Sequence, residues 1–321
     1  MDKARDAQKI TVISDVDREY LAAENIKILQ DNSPGYPAIL RDIYDPPRML
    51  FCKGEISTDD EIAVAIVGAR RCSLYGLRIA EKLAYDLAER GITVISGMAK
   101  GIDSAAHKGA LKAGGRTIAV MGSGFRHIYP PGSEGLMEKI SASGAVLTEF
   151  APEVMPSKWT FPRRNRIISG MAQGVVVVEA AVKSGALLTV DFALQQGKDV
   201  FAVPGPIDMI TSSGTNSLIK SGAKAVTDVN DILEELRPLW TGHSPKRMDP
   251  TRSDPKEKEK EPSISEAERA VRDIILRNGP MRIDVLADLS DMRPGVLSEV
   301  LLNLETKRKI KALPGKRYEC R

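Results

Sequence analysis

Between about residues 61 and 240 the chain alternates short β-branched apolar runs with longer segments whose apolar residues recur every three or four positions. The apolar runs fall at 62–67, 93–96, 117–121, 146–147, 175–178, 200–203 and, more briefly, 225–226. Helical periodicity covers 76–90, 104–113 and 187–196. Strands that are apolar throughout are buried on both faces, so this alternation predicts an α/β fold with a parallel sheet and helices on both sides.

The flanking regions differ in character. Residues 1–55 are mixed, and Pro34, Pro37, Pro46 and Pro47 interrupt any long element. Residues 241–262 hold Pro245, Pro250 and Pro255 and then Lys256-Glu-Lys-Glu-Lys-Glu261, a composition expected of a solvated charged linker. From 263 to 321 helical periodicity returns. Ser265 is placed to cap a helix that ends at Asn278-Gly279-Pro280, a short helix follows around 283–289, and a third starts at Pro294. Two β-like runs then flank a turn at Pro314-Gly315. Three helices and a hairpin predict a small C-terminal winged-helix domain. Its last fifteen residues carry seven basic side chains against one acid, which suits either a nucleic-acid contact or a solvated hairpin on a protein-interaction module.

Composition narrows the partners. The chain has 321 residues, a net charge of +3 and a sequence pI near 8.6, so affinity for an acidic polymer must come from local clusters. Cys52, Cys72 and Cys320 show neither CxxC spacing nor a disulfide framework, and three scattered histidines do not suggest zinc. Met1-Asp-Lys-Ala-Arg5 has no apolar leader region and no stretch reaches the length of a membrane span, so the expectation is a cytoplasmic protein without a membrane partner.

The most telling local cluster is Ser157–Arg166, with four basic residues, no acid, and Trp159 and Phe161 interleaved. Cations for phosphates beside rings for bases are what a single-stranded nucleic acid requires. The first strand runs into Gly68-Ala-Arg70-Arg71-Cys-Ser73 and then a helix, an arrangement whose backbone amides suit an anion. Ser96-Gly97, Gly122-Ser-Gly124, Lys183-Ser184-Gly185 and Pro204-Gly205 close other strands at the edge where open α/β sheets bind ligands. Gly122 and Gly205, taken singly, need be no more than turn glycines. The first loop is neither GxGxxG nor a Walker A, and no acid ends the second strand, which argues against NAD(P) and leaves no cofactor assigned. Asp103 and His107 lie one helical turn apart; they could form an acid–base pair, but with no nucleophile nearby a capping Asp103 and a structural His107 are favoured.

These turns, in this order, resemble the DNA-processing protein A (DprA/Smf) family. The resemblance rests on Ala65-Ile-Val-Gly68-Ala-Arg70, Ser96-Gly-Met-Ala-Lys-Gly-Ile-Asp103 with Ala106-His107, Ile128-Tyr-Pro130, Phe161-Pro-Arg-Arg-Asn-Arg166-Ile-Ile-Ser-Gly170, Lys183-Ser-Gly-Ala-Leu187 and Gly214-Thr-Asn216-Ser-Leu-Ile219. It covers about 34–240 and, more weakly, the tail. It implies an extended Rossmann-like domain (56–240) that binds single-stranded DNA without catalysing a reaction, forms a homodimer, and loads RecA recombinase onto incoming strands during natural transformation. Carried over residue by residue, the DNA pocket would use Arg70, Ser96, Gly97, Lys158, Phe161, Arg164, Asn165, Arg166, Ser184 and Gly185. Arg70 and Lys158 would meet phosphates and Phe161 would stack a base, while either of Arg164 and Arg166 could instead brace the pocket, with Glu179 as partner. The family's N-terminal helical domain is expected to be missing or reduced, since only about fifty residues precede the first Rossmann strand.

A different class shares the fold. Phosphoribohydrolases of the LOG type resemble this chain, but carry Pro-Gly-Gly-x-Gly-Thr and then a catalytic Glu. Here the matching stretch is Val182-Lys-Ser-Gly-Ala-Leu-Leu-Thr-Val190, with no acid after the glycine and only Glu179 before the turn. Glycosidic hydrolysis needs a carboxylate near the developing oxocarbenium ion, so nucleotide hydrolysis or nucleotide sensing stands as the alternative.

Overall fold

The computed structural model describes residues 13–236 and 265–320, apart from 291, 293, 308 and 314–316. The chain divides into two compact units, 1–248 and 249–321. The linker expected at 241–262 and the turn expected at Pro314-Gly315 lie outside the described residues.

The first unit opens with α1 (Asp15–Ala23), started by a capping box in which Ser14 and Asp17 satisfy each other's backbone amides. Strands β1 (Ile26–Gln30) and β2 (Met49–Gly54) pair antiparallel, although the proline-rich sequence between them gave no strand signal. Tyr36 closes this connection by donating its hydroxyl to Pro47 O at 2.6 Å.

Five all-buried strands follow: β3 (Ala63–Val67), β4 (Thr93–Ser96), β5 (Thr117–Val120), β6 (Ala145–Thr148) and β7 (Gly174–Val177). The half-exposed β8 (Asp199–Ala202) and the short β9 (Lys224–Ala225) complete the set. The helices between them are α2 (Leu74–Glu89), α3 (Ile102–Lys112), α4 (Glu134–Ser143), α5 (Thr160–Gly170), α6 (Ala186–Gln195), α7 (Ile210–Lys220) and α8 (Asn230–Leu236).

All nine strands form one sheet in the order β1-β2-β6-β5-β4-β3-β7-β8-β9, parallel from β6 onward. Successive residues of each strand feed opposite cores. Ala63, Ala65 and Val67 pack with α5 and α6, while Val64 and Ile66 pack with α2, α3 and α8. The expected parallel α/β architecture is therefore borne out. The chain builds outward from β3 through β4, β5 and β6, then returns to β7 on the other side of β3. That reversal makes the β3/β7 boundary the topological switch point.

In the second unit α9 (Glu266–Asn278) begins with a capping box of Ser265 and Glu268. The short β10 (Met281–Arg282), α10 (Ile283–Ser290), α11 (Pro294–Thr306), β11 (Ile310–Leu313) and β12 (Arg317–Cys320) follow. The strands pair as β10-β12-β11, and Val271, Ile275, Leu286, Leu297, Leu301, Leu304 and Ile310 form the core. This is the expected winged helix, with a third strand, β10, that the sequence did not signal.

Candidate nucleic-acid interface

The switch point opens into a cavity of about 570 Å³. Its walls come from the loop after β3 (Gly68–Arg71), the loop after β7 (Ala181–Ala186) and one face of α5. The first of these segments lies about a hundred residues before the other two in sequence, and adjacency of β3 and β7 brings them together.

Helix α5 is the Phe161-Pro-Arg-Arg-Asn-Arg166 segment. Ser157 starts it, exchanging hydrogen bonds with Thr160, and Pro162 is tolerated because it sits in the first turn. Helical spacing then sorts the charges. Phe161, Pro162, Arg164, Asn165 and Ile168 line the cavity. Arg163 and Arg166 turn away from it and share Glu149 Oε2 at 3.2 and 2.6 Å. Arg166 also donates to Asp45 Oδ2 at 3.1 Å. Burial pushes the Glu149 carboxyl up, an effect opposed by Arg166 and Arg163. Arg166 is thus a brace, through Glu149 and Asp45 rather than Glu179, and does not reach the cavity.

Arg164 lines the cavity but is 4% exposed. It donates through Nη1 to Gly97 O at 2.6 Å and to Val120 O, and through Nε to Asn165 Oδ1 at 3.1 Å. Burial lowers its pKa to about 10, so it stays charged at neutral pH, with Asp103 as the nearby opposite charge. A Cβ on Gly97 would fall 2.3 Å from Arg164 Nη1, so this glycine exists to admit the guanidinium. Ser96 is fully buried and donates to Ile66 O at 2.6 Å. Ser96 and Gly97 therefore seat the wall of the crevice and offer no surface to a ligand.

The exposed cations are different residues. Arg70 and Lys158 line the crevice as expected, and so do Arg71 and Lys183, which sequence reasoning left out of the site. Both were visible beside residues already singled out, in Arg70-Arg71 and Lys183-Ser184-Gly185; only the fold shows that these two turns face each other. The Arg70 guanidinium lies over the Phe161 ring at 4.5 Å, and Tyr129 meets the same ring at a centroid distance of 5.4 Å. Gly122 sits under that ring, where a Cβ would come within 2.6 Å of it, so it is a close-approach glycine rather than a turn glycine alone. Ser184 and Gly185 are in place, and Asn165 Nδ2 donates to Gly185 O at 3.4 Å, tying α5 to the second turn.

Three further polar groups find structural partners. Glu179 accepts from Ser73 N at 2.9 Å and from the Ser73 hydroxyl, at the positive end of α2. Asp103 accepts from Ala99 N at 3.4 Å, and burial raises its pKa. His107 Nδ1 meets Thr117 Oγ1 at 2.7 Å. The Thr117 hydroxyl proton goes to Val94 O, so Nδ1 is the donor and the ring is neutral; burial lowers its pKa to about 3. Asp103 and His107 thus hold separate structural posts. Among the described residues no group of acids, histidines and cysteines could hold a metal ion, and no helix is long and apolar enough to cross a membrane.

A doubly wound α/β sheet whose switch point opens into a basic crevice defines the class: a Rossmann-like protein built to receive an anionic ligand. The chain belongs to the DNA recombination-mediator protein A family, whose model matches residues 27–237, and a DprA winged helix domain matches residues 255–316. It is 42% identical over 214 residues to DNA processing protein DprA of Bacillus subtilis, covering 66% of this chain and 72% of that one. The X-ray structure of DprA from Streptococcus pneumoniae is similar at TM-score 0.64 and 42% identity, over 68% of this chain and 77% of that one. DNA processing protein A from Helicobacter pylori, whose structure concerns its single-stranded DNA binding mode, is similar at TM-score 0.60 and 28% identity, over 67% and 97% of the two chains.

Proposed function

We propose that this protein binds single-stranded DNA in the switch-point crevice, without catalysis, and as a homodimer hands the strand to RecA recombinase during natural transformation. The observation that carries the reading is the convergence of four exposed cations, Arg70, Arg71, Lys158 and Lys183, on one crevice walled by α5. The single-stranded DNA binding of the Helicobacter pylori relative supports the same ligand.

Strand phosphates would pair with these four cations, and Ser184 and Gly185 would let the backbone approach. Phe161 is the platform for Arg70, and a base reaches the ring by taking the guanidinium's place. Arg164, Arg166, Ser96 and Gly97 hold the wall. With few base-edge contacts, binding should tolerate sequence and weaken with salt. Glu179, which precedes the turn where the hydrolases carry their catalytic acid, is committed to Ser73 at the start of α2, and Asp103 in the crevice wall accepts from Ala99 N, which favours binding over glycosidic cleavage.

The test is titration of a labelled oligonucleotide at several salt concentrations. Single-strand contacts contribute a slope of about 0.7 each, so Arg70→Ala and Lys158→Ala should each flatten the salt dependence by about that amount. Wild-type binding by both variants would defeat the crevice assignment, and release of base from nucleoside monophosphates would defeat the non-catalytic reading. Handover is read as recombinase-driven strand exchange on protein-coated single strands, and the dimer by sedimentation.

A further inference from the structure

We infer that the C-terminal unit binds the nucleic-acid backbone through the outer face of its three-stranded sheet, and that its helix-turn-helix face does not enter a duplex groove. Winged helices commonly place the last helix in the major groove, where flanking cations hold the phosphates. Here the two helices that would dock, α10 and α11, contain no lysine or arginine. They carry Asp284, Asp288, Glu299 and Glu305, all exposed. Asp284 is paired with Arg282, but Asp288, Glu299 and Glu305, with no cation on either helix, oppose groove entry.

The cations are on the sheet. Antiparallel register places Arg282 of β10 directly opposite Arg317 of β12. On the other side of β12, Lys311 of β11 stands opposite Glu319. The alternate positions turn inward, where Ile310 and Met281 are buried in the core and Tyr318 packs against it. Arg282, Lys311 and Arg317 therefore share the outer face, where all three are exposed; Glu319 falls on the same face by register, and Lys309 immediately precedes β11. Like charges directly across a strand pair are unfavourable. Asp284 offsets Arg282 through a solvent-exposed pair at 3.0 Å, which is worth little, so the juxtaposition favours an external anion. The spacing suits a phosphate backbone: cross-strand neighbours stand about 5 Å apart and alternate residues about 7 Å, close to the repeat of successive phosphates. The ligand class is thus a polyphosphate backbone read without sequence specificity, in single or double strand.

The full-length chain tests this with Lys309→Gln, Lys311→Gln and Arg317→Gln combined, titrated with a fluorescent single strand and with duplex over a range of salt. Loss of three phosphate contacts should flatten the salt slope by about 2 for single strand and about 2.7 for duplex. Asp288→Asn with Glu299→Gln should leave affinity unchanged or tighten it. The arm that flattens identifies the form of nucleic acid bound, and circular dichroism confirms that the variants fold. An unchanged slope on both ligands overturns the inference, as does a loss of duplex affinity in the Asp288/Glu299 variant. The crevice is tested separately by Arg70→Ala: if only that variant weakens binding the sheet contact falls and the crevice stands, and if only the triple variant does the reverse holds.

Discussion

Replacing Arg164 with methionine should separate a brace from a ligand contact. The side chain is 4% exposed and donates to two main-chain carbonyls, Gly97 O and Val120 O, while its charge faces the buried Asp103. Methionine fills similar space but leaves both carbonyls unpaired and removes the stronger of the two positive charges, Arg164 and Arg70, that act on Asp103. Removing one member of a buried, hydrogen-bonded charge arrangement costs about 3–5 kcal/mol. In a domain of this size each kcal/mol shifts Tm by about 2–4 °C, so Tm should fall by roughly 6–20 °C. Calorimetry or thermal circular dichroism measures it. Well below that Tm the salt slope of single-strand binding should match wild type, because no phosphate contact has gone. Arg164→Lys should recover part of the lost stability, since an ammonium can still reach one carbonyl. A loss under about 1 kcal/mol together with a slope flattened by about 0.7 would mean that Arg164 meets phosphate, and the bracing argument would be wrong.

Other outcomes follow from the same contacts. Gly76→Ala would put a Cβ 2.6 Å from Glu179 Cδ, and this overpacking at the start of α2 should cost about 1–3 kcal/mol in denaturant unfolding. Glu149→Gln keeps an acceptor but removes the negative charge shared by Arg163 and the buried Arg166, leaving Asp45 as the carboxylate paired with Arg166; chemical denaturation should show a loss of about 3 kcal/mol. His107 is held neutral with a pKa near 3, below the ordinary 6.5. The unfolded chain therefore binds a proton that the folded chain refuses, so stability should fall by up to about 1.4 kcal/mol per unit as pH drops from 6.5 toward 3. His107→Asn should abolish that part of the slope, and an unchanged pH profile would show that His107 is not its source.

The strands at 63–67 and 174–177 were legible because a strand buried on both faces reads as a near-continuous apolar run, and 93–96 because Val94 and Ile95 stand between two residues whose hydroxyls are hydrogen-bonded in the interior. Pairing of β1 and β2 was not: Ile26–Gln30 mixes polar and apolar positions, the apolar Met49–Cys52 follows closely on Pro46 and Pro47, and the connection between them is broken by proline. Helix α5 was also hidden: it carries arginine on both its cavity-facing and its buried side, and its low mean hydropathy does not announce a helix packed in the interior.

By itself the sequence determined the parallel α/β class, the winged tail, and that phosphate-directed chemistry belongs to the turns after the strands. These are local matters of periodicity, capping and residue type. Which arginine does what was decided only by the tertiary structure. Arg70 and Arg164 are the same side chain chemically, yet one lies exposed over Phe161 and the other is sealed against Gly97 and Val120. The difference is one of burial and geometry, set by the adjacency of β3 and β7 and by the turn of α5, and a list of residues carries neither.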